Sequence, residues 1–324
     1  MTELRRGVFL DLATVDRGDL DLAPLRDALP DWTLHARGGE AERNGHLATA
    51  DVVVTNKVVL DADFLDAAPH LKLVCAAATG VNNIDLDAAA RRGIRVCNAR
   101  DYATDSVVQH LFALLLTLVT RLDDYRADIR AGRWSTSDQF CLLNHRIDCL
   151  AEMRLGIIGW GVLGQATARL ARAFGMQVQV AERHRATDPA DRVERIPLDE
   201  LLATSEVVSL HCPLTPDTHH LIDGAALERM RPGALLLNTA RGGLVEPFAL
   251  AEQLRSGHLG GAGIDVVDPE PPPADHPLLA DDIPNLVLTP HTAWAARSSR
   301  QRVIAEVAAN IRAFAAGQPR NAVN

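Results

Sequence analysis

The apolar residues of the chain fall in short runs separated by longer amphipathic stretches. Val8 to Leu10, Val52 to Thr55, Leu73 to Ala76 and Arg95 to Cys97 read as strands, with helical patterns between them. That alternation predicts an α/β unit built on a parallel sheet. Ser106 to Arg121 (SVVQHLFALLLTLVTR) is apolar on most faces and predicts a buried helix. From Arg154 a second alternation begins, with six strand-like runs in LGIIGW, MQVQVAE, VVSLHC, ALLLNTA, GAGIDVV and NLVLTP. Several are continuously apolar, as strands covered by helices on both faces are. The second half therefore reads as a doubly wound dinucleotide-binding domain, and the chain as α/β with two Rossmann-like domains. The last helical pattern, Ser298 to Ala316, is amphipathic, and its periodicity fits a place on either domain.

Composition narrows the class. With 324 residues, 47% of them hydrophobic, two ordinary domains can bury their cores without disulfides. The five cysteines (Cys75, Cys97, Cys141, Cys149, Cys212) are odd in number, scattered and never in Cys-x-x-Cys spacing. This argues against a disulfide framework and a zinc site, and no metal is expected. The N-terminus lacks a signal-peptide core, and the longest apolar stretch, Leu111 to Val119, is far short of the roughly 20 residues that span a bilayer. A net charge of −9 disfavours nucleic acid and anionic membrane surfaces. The expectation is a cytoplasmic, small-molecule protein.

The segment GIIGWGVLGQ places Gly159, Gly161 and Gly164 in G-x-G-x-x-G between an apolar strand and a helical run. Such glycines allow a tight turn, close backbone approach to a pyrophosphate and close helix packing. The amides of Val162 and Leu163 at the helix start supply donors. The next strand ends in Glu182, about twenty residues past Gly161, where an acid meets the adenosine ribose hydroxyls. A carboxylate there repels a 2′-phosphate and favours NAD. Arg183, His184 and Arg185 follow at once and would neutralise such a phosphate, so NADP stays open as the alternative.

Three later strands run out into polar residues at their C-terminal ends, where open α/β sheets bind ligands. LLLNTARGG carries Arg241, GIDVVDPEPP carries Asp265, Asp268 and Glu270, and LVLTPHTAW carries His291 directly after Pro290. Arginine, carboxylate and histidine at three strand ends of one sheet suit reduction of a carbonyl beside a carboxylate.

On these residues the chain resembles the D-2-hydroxyacid dehydrogenase family, and within it the hydroxypyruvate reductase (glycerate dehydrogenase) branch. The resemblance spans nearly the whole chain, through ATGVNNIDL (78–86), the glycine motif, HCPLTPDTHHLI (211–222), MRPGALLLNTARGGLVE (230–246), GGAGIDVVDPEPP (260–272) and LTPHTAWA (288–295). It implies that Arg241 holds the substrate carboxylate and carbonyl oxygen through its planar fork. His291 is implied as the proton donor to the carbonyl oxygen, and Glu270 as its partner, favouring the imidazolium. Asp265 is implied to bind the nicotinamide carboxamide, and Thr104 to lie beside the nicotinamide. Cys212 and Pro213 would form the loop against the adenosine half, and Thr239 and Ala240 fall on the cofactor side. The amides around Thr79 and Gly80 would receive the substrate carboxylate. Asn56 and Lys57 either line the cleft or form a solvated turn.

The resemblance further implies a discontinuous substrate domain, residues 1–100 plus 292–324, and an NAD-binding domain over 101–291, with a cleft between them and dimerisation through the nucleotide domain. The substrate would be a small 2-keto or D-2-hydroxy acid, hydroxypyruvate or glyoxylate first; phosphoglycerate, a bulkier keto acid and a dinucleotide-sensing role are the alternatives. The chain departs from the common family pattern at His291-Thr-Ala-Trp294, where the indole either narrows the pocket or packs at a subunit contact, and at Glu152, where a glycine is usual.

Overall fold

The computed structural model describes residues 2–37, 45–182 and 193–324, and the chain divides into two compact units. Unit 1 comprises Met1–Ala103 and Trp294–Asn324, and unit 2 comprises Thr104–Ala293.

Unit 1 is built on five parallel strands, β1 (Arg6–Phe9), β2 (Asp31–Leu34), β3 (Val52–Thr55), β4 (Leu73–Ala76) and β5 (Arg95–Cys97), in the order β2-β1-β3-β4-β5. This is the flavodoxin-like doubly wound order. Central β3 and β4 are buried throughout, which is why VVVT and LVCA are continuously apolar or nearly so. Edge strand β2 escapes the hydrophobic pattern because it is only partly buried; Trp32 packs on Gly7, where a Cβ would lie 2.6 Å from the indole. The carboxylates of Asp61 and Asp85 cap the helices Ala62–Asp66 and Leu86–Arg91, each accepting from the amide three residues on. The long helix Arg297–Ala315 belongs to this unit and packs beside β4.

Unit 2 carries six parallel strands, β6 (Arg154–Ile158), β7 (Gln177–Val180), β8 (Val207–Leu210), β9 (Leu235–Asn238), β10 (Gly261–Ile264) and β11 (Leu286–Leu288), ordered β11-β10-β9-β8-β6-β7. The order reverses around β6, the switch point at which such sheets take dinucleotides. Residue alternation splits each strand between two cores. Leu235 and Leu237 join a cluster with Leu111, Leu115 and Leu118 of the helix Thr104–Val119, while Leu236 faces the opposite cluster with Leu250 and Leu254. The chain leaves every strand of this sheet at the same edge, and that edge carries the polar residues singled out above.

Candidate active site

The glycine motif sits in the turn from β6 into the helix Val162–Ala173. Gly159 has φ 104°, open to glycine at little cost, and a Cβ there would lie 2.5 Å from the Cys212 amide nitrogen. A Cβ on Gly164 would overlap the Gly159 carbonyl oxygen, so this residue lets the helix close on the turn. A Cβ on Gly161 would meet nothing within 4 Å, and no side chain caps the helix that follows. Open space over uncapped helix amides is what a pyrophosphate requires. Val162 is 52% exposed, and Leu163 lies beside it in the first turn. Among the described residues the Thr239 hydroxyl, just past β9, is buried without a hydrogen-bond partner, as a donor awaiting a ligand would be. The residues present thus fit a dinucleotide.

Glu182 lies exposed just past β7, its amide bonded to the Ile196 carbonyl at 2.9 Å. Arg183, the expected neighbour, lies outside the described residues. Beyond β8, Cys212 and exposed Pro213 follow His211, whose Nε2 is 2.9 Å from the Ser209 hydroxyl. Burial lowers the His211 pKa to about 4 and raises the Cys212 thiol to about 11, so both are uncharged at neutral pH. Neither brings an anion to the cofactor side.

At the end of β9, the buried Asn238 fixes a short turn: its Oδ1 accepts from the Ala240 amide at 3.0 Å and its Nδ2 donates to the Arg241 carbonyl at 2.8 Å. Arg241 stands at the exit with extended backbone, and its guanidinium donates once to the Ala240 carbonyl at 2.7 Å. Among the described residues that leaves most of its five donors for a ligand. Gly242 follows because a Cβ there would overlap the Val267 carbonyl group.

Past β10 and β11 the acid and base meet. His291 Nδ1 lies 2.6 Å from Glu270 Oε2, and the two side chains are 27% and 33% exposed, so a ligand reaches both. Glu270 Oε1 accepts from the Val267 amide at 3.1 Å, which holds the carboxylate toward the imidazole. His291 has φ 53°, a left-handed conformation costing about 1–3 kcal/mol for such a residue. Its amide donates to the Asp265 carbonyl at 2.7 Å and the Thr289 carbonyl at 3.0 Å.

Asp265 is only 1% exposed. Its Oδ1 accepts from the Thr289 hydroxyl (2.6 Å) and the Thr292 amide (2.9 Å), and its Oδ2 from the Ala293 amide (2.9 Å). Burial pushes its carboxyl up, but these bonds and one from His110 outweigh burial and hold it below the ordinary carboxylate pKa. The structure thus gives Asp265 a task unforeseen in the sequence, holding the His291 loop. Thr104 is the first residue of its helix.

In unit 1, Thr79 and Gly80 follow β4 in a loop held by the Thr79 hydroxyl on the Ala99 carbonyl (2.8 Å) and by Asn98 Nδ2 on the Thr79 carbonyl (2.7 Å). Asn56, for which a cleft lining and a solvated turn were both open, is 4% exposed and its Nδ2 donates to the Thr14 hydroxyl at 3.0 Å. The cause is Asp11, whose carboxylate draws the amides of Asn56, Lys57 and Val58 inward at 2.9, 2.7 and 3.3 Å. Lys57 remains exposed. Trp294 lies edge-on to Tyr102, with ring centroids 6.4 Å apart.

Residues 112–293 match the family model for the D-isomer specific 2-hydroxyacid dehydrogenase, NAD binding domain. The chain is 42% identical over 277 residues to a glycerate dehydrogenase of Methylorubrum extorquens, covering 86% of each. It is 34% identical to a hydroxypyruvate reductase of Blautia hydrogenotrophica, covering 98% of this chain and 99% of the relative. Among solved structures, the TT0316 protein of Thermus thermophilus superposes with a TM-score of 0.84 at 37% identity, over 98% of this chain and 100% of that one.

Proposed function

The chain belongs to the D-isomer specific 2-hydroxyacid dehydrogenases, and on that premise we propose that it reduces hydroxypyruvate or glyoxylate to the D-glycerate or glycolate product. It is an oxidoreductase acting on the CH–OH group of a 2-hydroxy acid with a nicotinamide dinucleotide. The observation that carries the site assignment is the 2.6 Å pairing of His291 with Glu270 at the sheet edge that also bears Arg241.

When bound, the reduced nicotinamide supplies the hydride that adds to carbon 2. His291 holds the proton on Nε2 and releases it to the carbonyl oxygen as that oxygen gains charge, and Glu270 steadies the imidazolium before the transfer. Arg241 clamps the carboxylate of the keto acid with parallel N–H donors. The amides near Thr79 and Gly80 receive the same carboxylate, Asp265 and Thr104 serve the nicotinamide end, and Thr239, Ala240, Cys212 and Pro213 serve the cofactor. Glu182 selects NADH by repelling a 2′-phosphate. The Trp294 indole restricts the substrate to short side chains. The five unbridged cysteines suit a reducing cytoplasm.

The test is loss of reduced nicotinamide absorbance by purified protein, with NADH and NADPH each offered against hydroxypyruvate, glyoxylate, pyruvate and a bulky aromatic 2-keto acid. Turnover is expected with NADH and the first two acids and to collapse in His291→Ala. A preference for the aromatic acid would refute the small-pocket reading.

We also propose a homodimer through unit 2. Leu122, Ile129, Trp134, Phe140, Leu143 and Ile147 expose 48–90% of their surface within one short stretch, an apolar density that suits a subunit contact. Light scattering should give twice the chain mass, and Phe140→Glu with Leu143→Glu should give a monomer. An unchanged mass in the double variant would place the contact elsewhere.

A further inference from the structure

The helix Thr104–Val119 is apolar where it is buried, with Val107, Val108, Leu111 and Phe112 in its first turns. Ser106 and His110 break that pattern, and at i and i+4 they share one face of the helix. Both bond to the loop that carries His291. The Ser106 hydroxyl donates to the Ala293 carbonyl at 2.6 Å, and His110 Nε2 lies 2.9 Å from the Thr289 hydroxyl.

The direction of the second bond follows from proton counting. Thr289 Oγ1 is 2.6 Å from Asp265 Oδ1, and an ionised carboxylate only accepts, so the single hydroxyl proton goes to Asp265. Toward His110 the hydroxyl must then accept, and His110 carries its proton on Nε2. The chain runs His110 N–H to Thr289 O–H to Asp265, whose two oxygens take the amides of Thr292 and Ala293, and His110 Nε2 also lies 3.4 Å from Asp265 Oδ1. His291 lies between the two gripped ends, in a left-handed backbone that persists only where its surroundings over-determine it.

We propose that Ser106 and His110 form a two-point clamp that positions the acid/base, with His110 as a positioning residue acting on His291 through Thr289 and Asp265. The inference rests on the reading of His291 as the proton donor. A misplacement of about 1 Å at a reacting group costs on the order of 100-fold in rate. The clamp's contribution therefore falls on the chemical step.

The experiment is steady-state kinetics of His110→Phe, His110→Gln, Thr289→Val and the double variant His110→Phe/Thr289→Val, beside His291→Ala. His110→Phe should lower kcat on the order of 10- to 100-fold. His110→Gln, whose amide restores an N–H donor, should recover most of the loss. Thr289→Val should lose part of that rate and no more than His110→Phe, because the 3.4 Å contact between His110 and Asp265 survives it, and the double variant should be no worse than His110→Phe. Should His110→Phe fold poorly, Thr289→Val, a near-isosteric change, decides alone. Wild-type kcat in His110→Phe and Thr289→Val alongside an inactive His291→Ala would overturn the clamp and leave the proton-donor reading standing. Full activity in His291→Ala would overturn that reading itself. A loss in His110→Phe that His110→Gln does not restore, with a matching fall in Tm, would reduce His110 to packing and also overturn the clamp.

Discussion

Removing the imidazole of His291 is expected to lower kcat for keto-acid reduction by about 100- to 10,000-fold, the range a single general acid contributes. The expectation follows from geometry. Glu270 Oε2 holds Nδ1 at 2.6 Å, and the pair stands where β10 and β11 run out, on the sheet edge that also carries Arg241. Two variants make the test clean. Alanine removes the group but sits poorly at φ 53°, whereas asparagine tolerates the left-handed region and yet cannot deliver a proton. Both should lose turnover, while His291→Asn keeps the wild-type Tm. NADH affinity, followed by fluorescence, should stay unchanged, since the glycine turn after β6 lies on other strands. Retention of a substantial fraction of kcat in His291→Asn would mean that the proton comes from elsewhere.

What could be read from the sequence, and what could not, divides along a physical line. The six strands of unit 2 were legible because burial on both faces writes a continuous apolar run, as in Leu235 to Leu237. Arg241, Glu270 and His291 stood out because polar residues that directly follow such runs lie at one sheet edge. The glycine motif was legible because its G-x-G-x-x-G spacing and the contact of Gly164 with Gly159 are local. β2 was not legible, since Asp31–Leu34 pairs on one side only and its exposed start dilutes the pattern. The inward turn of Asn56 was hidden for another reason. It depends on Asp11, 45 residues earlier, and no periodicity encodes which carboxylate meets which amides. The same holds for Ser106 and His110. They appear in the sequence as two polar interruptions of an apolar helix, and only their bonds to Ala293 and Thr289, more than 170 residues later, give them a task.

Arg241→Lys is expected to cost on the order of 100- to 1,000-fold in kcat/KM, despite keeping the charge. Lysine offers a point charge on a flexible stem, whereas the guanidinium presents parallel donors to two oxygens at once. The structure already commits the backbone on either side. Asn238 bonds the Ala240 amide and the Arg241 carbonyl, and Gly242 allows the turn to pass the Val267 carbonyl group, so the arginine stem has one exit direction. A shorter, rotatable ammonium leaving at the same angle cannot reproduce the fork. If Arg241 holds both the carboxylate and the carbonyl oxygen, the loss should divide between KM for the keto acid and kcat, because the second contact strengthens as that oxygen gains charge. KM for NADH should not move. Arg241→Ala should lose more, and added guanidinium should restore part of its activity. A variant in which only KM for the keto acid rises, with kcat intact, would confine Arg241 to carboxylate binding and leave His291 as the sole group acting on the carbonyl oxygen.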